Sequence, residues 1–256
     1  MSETCDVRSV VLVGASGRMG ARLDALAPEF GYRVAARVGR DGPGLDAVAT
    51  TPDIVIDFSS PRQTAATLGW ASLRRVPCVI GTTGLEDDAQ AALREAALHI
   101  PVVWAANFSL GVTLLAHLVA TVARTLTEAW EIELIERHHR AKVDAPSGTA
   151  LMLAERAAEA RGWTLAEVAR SGREGACGPR ALREIGMHAV RGGSVVGDHE
   201  VAFLTAGEIL TLSHTALDRD IFARGAWRAA DWLVGQDGAA PPAPGLHDLN
   251  AVLGLR

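Results

Sequence analysis

The sequence is poor in cysteine and contains no long apolar run. Its three cysteines, Cys5, Cys78 and Cys177, lie far apart and form neither a CxxC pair nor a Cys/His spacing. Such a scattered, odd set argues against a disulfide framework and a zinc site, so no metal is expected. No apolar run reaches the roughly 20 residues of a membrane-spanning helix, and the opening MSETCDVRS lacks a signal-peptide apolar region. We therefore expect a cytoplasmic protein without membrane contact.

The sequence also lacks an excess of basic residues and a serine-hydrolase motif. It has 25 Lys and Arg against 30 Asp and Glu, a net charge of −5, which argues against a general nucleic-acid binder. No GxSxG elbow surrounds Ser109 or Ser147, so neither is expected to be a nucleophile. Apolar residues make up 48% of the 256 positions, which suffices for one large domain or two smaller ones.

The first part of the chain alternates between strands and helices. The pattern predicts strands over 8–13, 33–38, 53–58, 76–80 and 101–104, and helices over 21–28, 64–73 and 87–98. The unbroken apolar centre of 53–58 is typical of a parallel strand that is buried on both faces. This alternation predicts an α/β fold with a Rossmann-like, doubly wound parallel sheet.

After residue 108 the pattern changes. It predicts helices over 112–126 and 151–160, and strands over 130–136, 185–191, 197–205 and 208–214. These elements predict an α+β unit with an open mixed sheet. A closing helix over 222–234 resembles the first unit in composition, and 241–245 reads as a loop before a short tail. We therefore divide the chain into 1–108 with 218–256, and 109–217.

Three glycines follow the first strand and precede the first helix. Gly14, Gly17 and Gly20 stand in the place where a dinucleotide-binding turn needs glycine, because the backbone must turn tightly and approach a pyrophosphate. Their spacing differs by one residue from the usual GxGxxG. An ordinary strand-to-helix turn would explain these glycines equally well.

The end of the second strand indicates which dinucleotide would bind. NAD sites usually place an acidic residue there, whereas a nearby arginine favours the 2′-phosphate of NADP. Here Gly39 holds the strand-end position, Arg40 follows it, and Asp41 could partly restore NAD binding. The pattern favours NADPH, with NADH possible, and the alternative for Arg40 is a solvated surface arginine, which is common.

Two further motifs follow later strands of the same unit. Gly81-Thr82-Thr83-Gly84 follows the fourth strand, and Ala105-Ala106-Asn107-Phe108 follows the fifth. Ligands bind at the carboxyl ends of the strands in such sheets, so these backbone amides and hydroxyls could hold a nicotinamide. Taken singly, each motif is equally well explained as a connecting turn.

A basic segment precedes the helix of the second unit. His138, His139, Arg140 and Lys142 crowd into five positions, and Pro-Ser-Gly-Thr follows at 146–149. Packing alone does not favour neighbouring cations, since they repel one another when protonated. Histidine and lysine can donate protons near neutral pH, and a helix start binds anions. The segment predicts a site for an acidic small molecule that is protonated during reaction.

In combination, these motifs resemble the 4-hydroxy-tetrahydrodipicolinate reductase family, also called dihydrodipicolinate reductase. The resemblance covers nearly the whole chain and is carried by 14–20, 81–84, 106–112 and above all 136–150. It implies NAD(P)H-dependent reduction of a cyclic dicarboxylate in diaminopimelate and lysine biosynthesis. It also implies a Rossmann-like dinucleotide-binding domain, a substrate-binding and oligomerisation domain, and a homotetramer. A partner subunit is expected to cover an apolar face of the open sheet.

The resemblance also assigns site residues. His138 and Lys142 would donate protons, and the substrate would contact His139, Lys142, Ser147, Gly148, Thr149 and Arg219. The cofactor would be lined by Gly14, Ala15, Ser16, Gly17, Arg18, Met19, Arg40, Gly81, Thr82, Thr83, Ala105, Ala106, Asn107 and Phe108.

Two departures from the family pattern stand out. The segment 40–53 is short, so a peripheral strand and helix are expected to be missing, and Gly39 replaces an acidic residue that many members use with NADH. Two other functions remain open at this point. One is a related NADPH-dependent reductase of another cyclic imine acid, and the other is a non-catalytic NADP-sensing protein.

Overall fold

The computed structural model describes residues 7–40, 42–236 and 238–255, so the predictions for Cys5 and Asp41 lie outside the described residues. Contacts divide the chain into two compact units. Unit 1 comprises Met1–Leu110 and Asp220–Arg256, and unit 2 comprises Gly111–Arg219.

The described residues form eleven strands and eight α-helices, with bounds as follows. The strands are β1 (Arg8–Val13), β2 (Tyr32–Val38), β3 (Ile54–Asp57), β4 (Cys78–Ile80), β5 (Pro101–Trp104), β6 (Glu131–His138), β7 (Ala169–Ser171), β8 (Ile185–Arg191), β9 (Gly197–Leu204), β10 (Ile209–Ala216) and β11 (Gly245–His247). The helices are α1 (Arg18–Leu26), α2 (Pro61–Arg74), α3 (Asp87–Ala97), α4 (Leu110–Thr125), α5 (Gly148–Ala160), α6 (Leu165–Val168), α7 (Asp220–Val234) and α8 (Leu249–Leu253).

Unit 1 is built on a six-stranded sheet in the order β11-β5-β4-β3-β1-β2, and its strand pairs are all parallel. The Rossmann-like prediction is therefore confirmed. The strand order reverses at β1, which has β2 on one side and β3 on the other. Ligands of such sheets bind outside the carboxyl ends of the strands at this reversal.

Buried aliphatic side chains fill both faces of this sheet. Alternate residues of β1 serve separate cores, so Val10 and Leu12 join one cluster while Val11 and Val13 join the other. Helix α7 returns the chain to unit 1 and places Trp227, fully buried, against Tyr32 at 4.8 Å between ring centroids. The return of the last helix, suggested by composition, is observed.

Several element bounds differ from the sequence predictions. Helix α1 begins at Arg18 rather than residue 21, because the Gly17 N–H closes the turn onto the Gly14 carbonyl at 2.9 Å and the helix starts at once. The tail after residue 241 contains β11 and α8, which the sequence did not predict. β11 has three residues and pairs with β5 at the sheet edge, so its length was too short to show a pattern.

Unit 2 contains the predicted mixed sheet, and its strand order is β10-β9-β6-β8-β7. The sequence did not predict α6 and β7. β6 pairs antiparallel with β9 and parallel with β8. One face of the sheet packs on α4 and α5, where Ile132, Leu134, Val201 and Phe203 are buried. The apolar face is thus covered within the same chain.

The opposite face of this sheet is largely polar. Side chains alternate along β6, so Glu133 and Arg137 point away from the helices. Glu133 accepts hydrogen bonds from Arg173 and Arg180, and its Oε2 lies 2.7 Å from His188 Nε2. The expectation that a partner subunit covers the apolar face is therefore wrong, because α4 and α5 of the same chain cover it. The homotetramer stays a prediction.

Between β2 and β3 the described residues form only a short 3-10 turn, Leu45–Ala47, which agrees with the expected trimming of this region. No helix among the described residues is both long and apolar enough to span a bilayer.

Candidate active site

A cavity of about 380 Å³ opens where the strand order of unit 1 reverses. We call it the switch-point cavity. It is lined by Val13, Gly14, Ser16, Gly17, Val38, Gly39, Arg40, Phe58, Ser59, Ser60 and Gln63. The carboxyl ends of β1, β2 and β3 therefore meet at one concave surface, as expected of a dinucleotide site.

The backbone at Gly14 requires glycine. Its φ is +81°, and an added Cβ would lie 2.4 Å from the Phe58 carbonyl oxygen. Gly20 is equally restricted, since its Cβ would lie 2.2 Å from the Gly14 oxygen. Gly17 is the N-cap of α1, and no side chain caps this helix start. The first N–H groups of the helix therefore lie at the edge of the cavity without a side-chain acceptor.

Of the predicted cofactor residues in this part of the chain, Gly14, Ser16, Gly17 and Arg40 line the same cavity, whereas Ala15, Arg18 and Met19 are not in its lining. Arg40 and Ser16 are exposed there, and Ser16 Oγ would lie 3.0 Å from a Cβ added at Gly39. Arg18, the first residue of α1, is exposed, while Met19 is half-buried against the core. A larger residue at position 39 would crowd Ser16, so glycine keeps this rim open.

The loop after β4 is held by a buried hydrogen-bond network. Thr82 Oγ1 lies 2.8 Å from Thr64 Oγ1 and accepts from the Ser59 N–H at 3.1 Å. The Asp57 carboxylate accepts from the Ser59 N–H and hydroxyl, and burial raises the pKa of Asp57. The Thr82 side chain thus points into the protein and ties the loops after β3 and β4 together.

The remaining predicted cofactor residues follow β4 and β5. A Cβ added at Gly81 would lie 2.2 Å from the Phe58 ring, which packs on Phe108 at 5.3 Å between centroids. Asn107 Oδ1 accepts the Ser109 N–H at 2.8 Å. Thr83 and Ala106 are exposed, and Ala105 is half-buried.

In unit 2 a buried carboxylate, Glu136, connects three elements. It is fully buried on the helix-covered face of β6. Its oxygens lie 2.6 Å from His138 Nδ1 and accept two bonds from Arg191 at 2.7 Å and one from the Ser147 N–H at 3.0 Å. Burial raises the pKa of Glu136, but bonds from Arg191, His138 and Ser147 outweigh it and lower that pKa. The carboxylate is therefore ionised.

His138 ends β6 and is 8% exposed. Because its Nδ1 faces Glu136, the imidazole presents Nε2 on its other side. A Cβ added at Gly197 would lie 3.2 Å from that Nε2, so the missing side chain leaves Nε2 room. The arrangement is one in which a carboxylate orients an imidazole for proton transfer.

Lys142 lies in the turn after β6. Its Nζ is 2.8 Å from Asp144 Oδ1, and this bond lowers the pKa of the Asp144 carboxyl. Arg191 also donates to the Asp144 backbone oxygen at 2.6 Å, so the turn is tied to β8. His139 is half-buried, and Arg140 is exposed.

The start of α5 completes this site. Ser147 Oγ accepts the Ala150 N–H at 3.2 Å and lies 3.1 Å from His199 Nε2. The helix begins at Gly148, which is exposed, and Thr149 is half-buried. We call Glu136, His138, Ser147, Arg191 and His199 the Glu136 cluster.

Arg219 is not a member of the Glu136 cluster. It is exposed in the turn between β10 and α7 and is the last residue of unit 2 along the chain. Among the described residues, no group of three or more His, Cys, Asp or Glu side chains is arranged to hold a metal ion.

Sequence reasoning missed Glu136, Arg191 and His199 as site residues. The sequence predicted that Glu136 lies on a strand. Leu134, Glu136 and His138 are two positions apart, so they share one face of that strand. Since Leu134 is apolar, this face must be the one toward the core, and the buried carboxylate could have been recognised from this spacing. Arg191 lies 55 positions from Glu136, and His199 lies 52 from Ser147, so only strand pairing brings them together. Phe58, Ser59, Ser60 and Gln63 of the switch-point cavity were also missed.

Comparisons with known proteins agree across both units. The family profile described as "Dihydrodipicolinate reductase, N-terminus" matches residues 8–108, and the one described as "Dihydrodipicolinate reductase, C-terminus" matches residues 111–253. A relative from Cereibacter sphaeroides (strain ATCC 17029 / ATH 2.4.9), named 4-hydroxy-tetrahydrodipicolinate reductase, is 48% identical over 98% of this chain and 99% of its own. A relative of the same name from Geobacter metallireducens is 40% identical over 96% of this chain and 99% of its own.

Solved structures agree on the fold. A dipicolinate-bound dihydrodipicolinate reductase from Paenisporosarcina sp. TG-14 superposes with a TM-score of 0.69 at 22% identity, covering 94% of this chain and 97% of that one. A probable dehydrogenase from Thermotoga maritima gives a TM-score of 0.55 at 8% identity, covering 93% and 91%.

Proposed function

The chain belongs to the dihydrodipicolinate reductase family, and we propose that His138, oriented by Glu136, and Lys142 protonate the substrate in an NAD(P)H-dependent reduction. The chain is an oxidoreductase that reduces 4-hydroxy-tetrahydrodipicolinate to tetrahydrodipicolinate in diaminopimelate and lysine biosynthesis. The observation that carries the mechanism is the 2.6 Å contact between His138 Nδ1 and the buried Glu136 carboxylate.

The switch-point cavity fits a dinucleotide. A Cβ added at Gly14 would collide with the backbone of Phe58, so glycine lets the chain turn here and come close to a pyrophosphate. The start of α1 has no side-chain cap, and its N–H groups can bind the negative charge of that pyrophosphate. Arg40 lines this cavity and is exposed, which supports its proposed contact with a 2′-phosphate. The nicotinamide supplies the hydride when bound. This fit supports the assignment of the predicted cofactor residues.

His138 acts as the proton donor through Nε2. Nδ1–H donates to Glu136, so the second ring nitrogen is the one that can face a substrate. Because Glu136 is also held by Arg191 and the Ser147 N–H, the orientation of the imidazole is fixed before substrate binds. Glu136 is a positioning residue, since it acts on the reaction only through His138.

The ammonium of Lys142 serves as a cation and as a second source of the proton. Its present partner, Asp144, is largely exposed, which leaves the lysine able to exchange that partner for a substrate carboxylate. Loss of water from 4-hydroxy-tetrahydrodipicolinate gives the unsaturated imine. Hydride addition at C4 of this imine gives an enamine, and a proton on the neighbouring carbon completes the reduction. A cationic group at that carbon also stabilises the developing negative charge.

The start of α5 is proposed to hold one substrate carboxylate. Ser147, Gly148 and Thr149 form its first turn, where helix geometry favours an anion. Bound dipicolinate, a dicarboxylate, in the Paenisporosarcina enzyme supports an acidic ligand of this class. His139 and Arg219 are proposed as further substrate contacts.

Three finer properties are also proposed. NADPH is preferred over NADH because Gly39 rather than an acidic residue follows β2 and Arg40 comes next. The enzyme is cytoplasmic and forms a homotetramer, as the family resemblance implies. Elution as a monomer in size-exclusion chromatography with light scattering would contradict the tetramer.

The function is tested by following NADPH oxidation by the purified protein, with NADH in parallel. The substrate is generated in situ from pyruvate and aspartate semialdehyde by the preceding synthase. We expect rapid oxidation of NADPH and slower oxidation of NADH. Tight NADPH binding without turnover would instead support a sensing role, and equal rates would remove the cofactor preference.

A further inference from the structure

His199 lies at the point where the sheet of unit 2 meets the start of α5. It is 4% exposed on β9, opposite Glu136 of β6 and His214 of β10. Its ring meets that of His138 edge to face, with centroids 5.2 Å apart. Its Nε2 is 3.1 Å from Ser147 Oγ. None of the motifs in the sequence assigns it a function.

The environment of His199 keeps its imidazole neutral. Burial, and then the neighbouring His138, lower the pKa of His199 to about 4. The groups that face it are His138 and Glu136 from β6, His214 from β10, Asp198 on its own strand and Ser147 at the start of α5. A neutral imidazole carries one N–H, and the position of that N–H decides what Ser147 can do.

The contacts favour a proton on Nε2. Among the described residues, His199 Nδ1 is buried without a hydrogen-bond partner. A buried N–H without an acceptor is costlier than a buried nitrogen lone pair without a donor, so the network assigns the proton to Nε2. Nε2–H then donates to Ser147 Oγ.

This tautomer of His199 determines which hydrogen bonds the Ser147 hydroxyl can make. Its oxygen already accepts the Ala150 N–H, and it now accepts from His199 as well. Both acceptor positions are filled, and the hydroxyl hydrogen is left to donate to another group. With the opposite tautomer, Ser147 would give its hydrogen to His199 and have none for a ligand.

We propose that His199 is a positioning residue that holds the Ser147 hydroxyl as a hydrogen-bond donor to a substrate carboxylate. The proposal rests on the proposed function of the α5 start, and it assigns to His199 a part in substrate binding rather than in proton transfer. His199 therefore affects the binding of the dicarboxylate more than the rate of the chemical step.

The test compares two substitutions of similar length, His199→Gln and His199→Met. Glutamine keeps an N–H that can reach Ser147 Oγ, whereas methionine removes it. Dipicolinate affinity is measured by calorimetry on the full chain with saturating NADPH, beside KM and kcat. We expect His199→Met to raise Kd and KM about tenfold with kcat changed less than about threefold, and His199→Gln to restore affinity to within about twofold.

A double variant identifies the route. If His199 acts through Ser147, adding His199→Met to Ser147→Ala should weaken binding no further than Ser147→Ala alone. Thr211→Ala on the opposite face of β10 should leave the dipicolinate Kd unchanged. Additive effects, equal affinities of the Gln and Met variants, or a His199→Met variant with wild-type Kd would each overturn the proposal.

The proposed function fails separately from this inference. A wild-type enzyme that binds dipicolinate and oxidises NADPH, with a His199→Met variant that matches it, overturns only the assignment of His199. A wild-type enzyme that neither binds dipicolinate nor turns over removes the carboxylate site, and this inference falls with it. Thermal melts of both variants are the check that each one folds. If methionine prevents folding, a His199→Gln variant that binds dipicolinate more than tenfold more weakly than wild type overturns the proposal.

Discussion

The switch-point cavity of unit 1 and the Glu136 cluster of unit 2 are built from different materials. The cavity depends on backbone, with Gly14 at φ +81° and an uncapped helix start. The Glu136 cluster depends on side chains, and one buried carboxylate joins His138, Arg191 and the Ser147 N–H. A backbone site binds by shape and fixed dipoles, whereas a side-chain site holds proton donors in set orientations.

The two regions also respond to acid in opposite ways. In unit 1, burial raises the pKa of Asp57, so the folded state favours its protonated form and acidification favours folding there. In unit 2, burial lowers the pKa of His199, and the partners of Glu136 lower the pKa of that carboxyl. Acidification therefore destabilises the folded Glu136 cluster, whereas it stabilises the folded environment of Asp57.

Removal of Glu136 should have the largest effect. Glu136→Ala leaves Arg191 and His138 without their buried partner, so we expect about 3–5 kcal/mol of destabilisation and a fall in kcat of at least about 100-fold. Urea unfolding and steady-state kinetics measure the two effects. Glu136→Gln should lower kcat while the NADPH KM is retained, since the switch-point cavity is untouched. Wild-type kcat in a folded Glu136→Gln variant would contradict the positioning of His138.

Acidification should have the second-largest effect, through the protonation of His199. The unfolded chain protonates His199 near pH 6.5, whereas the folded protein does so near 4. Between these values the unfolded state binds the extra proton, so stability due to neutral His199 is full above pH 6.5 and is lost as pH falls toward 4. The loss approaches about 3 kcal/mol.

This pH effect is measured as unfolding free energy from pH 7.5 to 4 in wild type and His199→Gln. The difference in unfolding free energy between the two proteins should be constant above pH 6.5 and should shrink below it. Parallel curves through the whole range would contradict a lowered His199 pKa. Asp57→Asn provides the contrast from unit 1, since it should remove a contribution of the opposite sign.

Gly14→Ala should have a smaller and local effect. An L-residue at φ +81° costs about 1–2 kcal/mol, and its Cβ would collide with the Phe58 oxygen. We expect NADPH to bind about tenfold more weakly while dipicolinate binding in unit 2 is unchanged. Gly44→Ala is the matched control, because a Cβ there meets nothing within 4 Å. Equal NADPH affinities for the two variants would argue against a backbone-built site.

Arg40→Ala should have the smallest effect, because the side chain is exposed on the cavity rim. The NADPH KM should rise several-fold while the NADH KM stays the same, since only NADPH carries the 2′-phosphate. Arg40→Lys keeps the charge and should recover part of the difference. An unchanged NADPH KM in Arg40→Ala would show that another group recognises the phosphate.

The comparison explains which parts of the site could be predicted. Gly14, Gly17 and Arg40 lie within one strand-helix-strand stretch, so their local spacing already indicated a turn at the carboxyl edge of a sheet. His138, Lys142 and Ser147 were equally visible because they crowd into one short segment. Residues within the switch-point cavity that follow β3, such as Ser59 and Gln63, carried no such pattern.

The sequence alone determined the α/β alternation, the mixed sheet and the basic segment, because periodicity, turn residues and neighbouring charges are local properties. Tertiary structure decided that Arg191 and His199 join Glu136, since β6, β8 and β9 pair across more than 50 positions of chain. It also decided that α4 and α5 cover the apolar face, leaving charges on the other. Pairing and burial determine which ring nitrogen of His138 meets Glu136, and no local pattern encodes that.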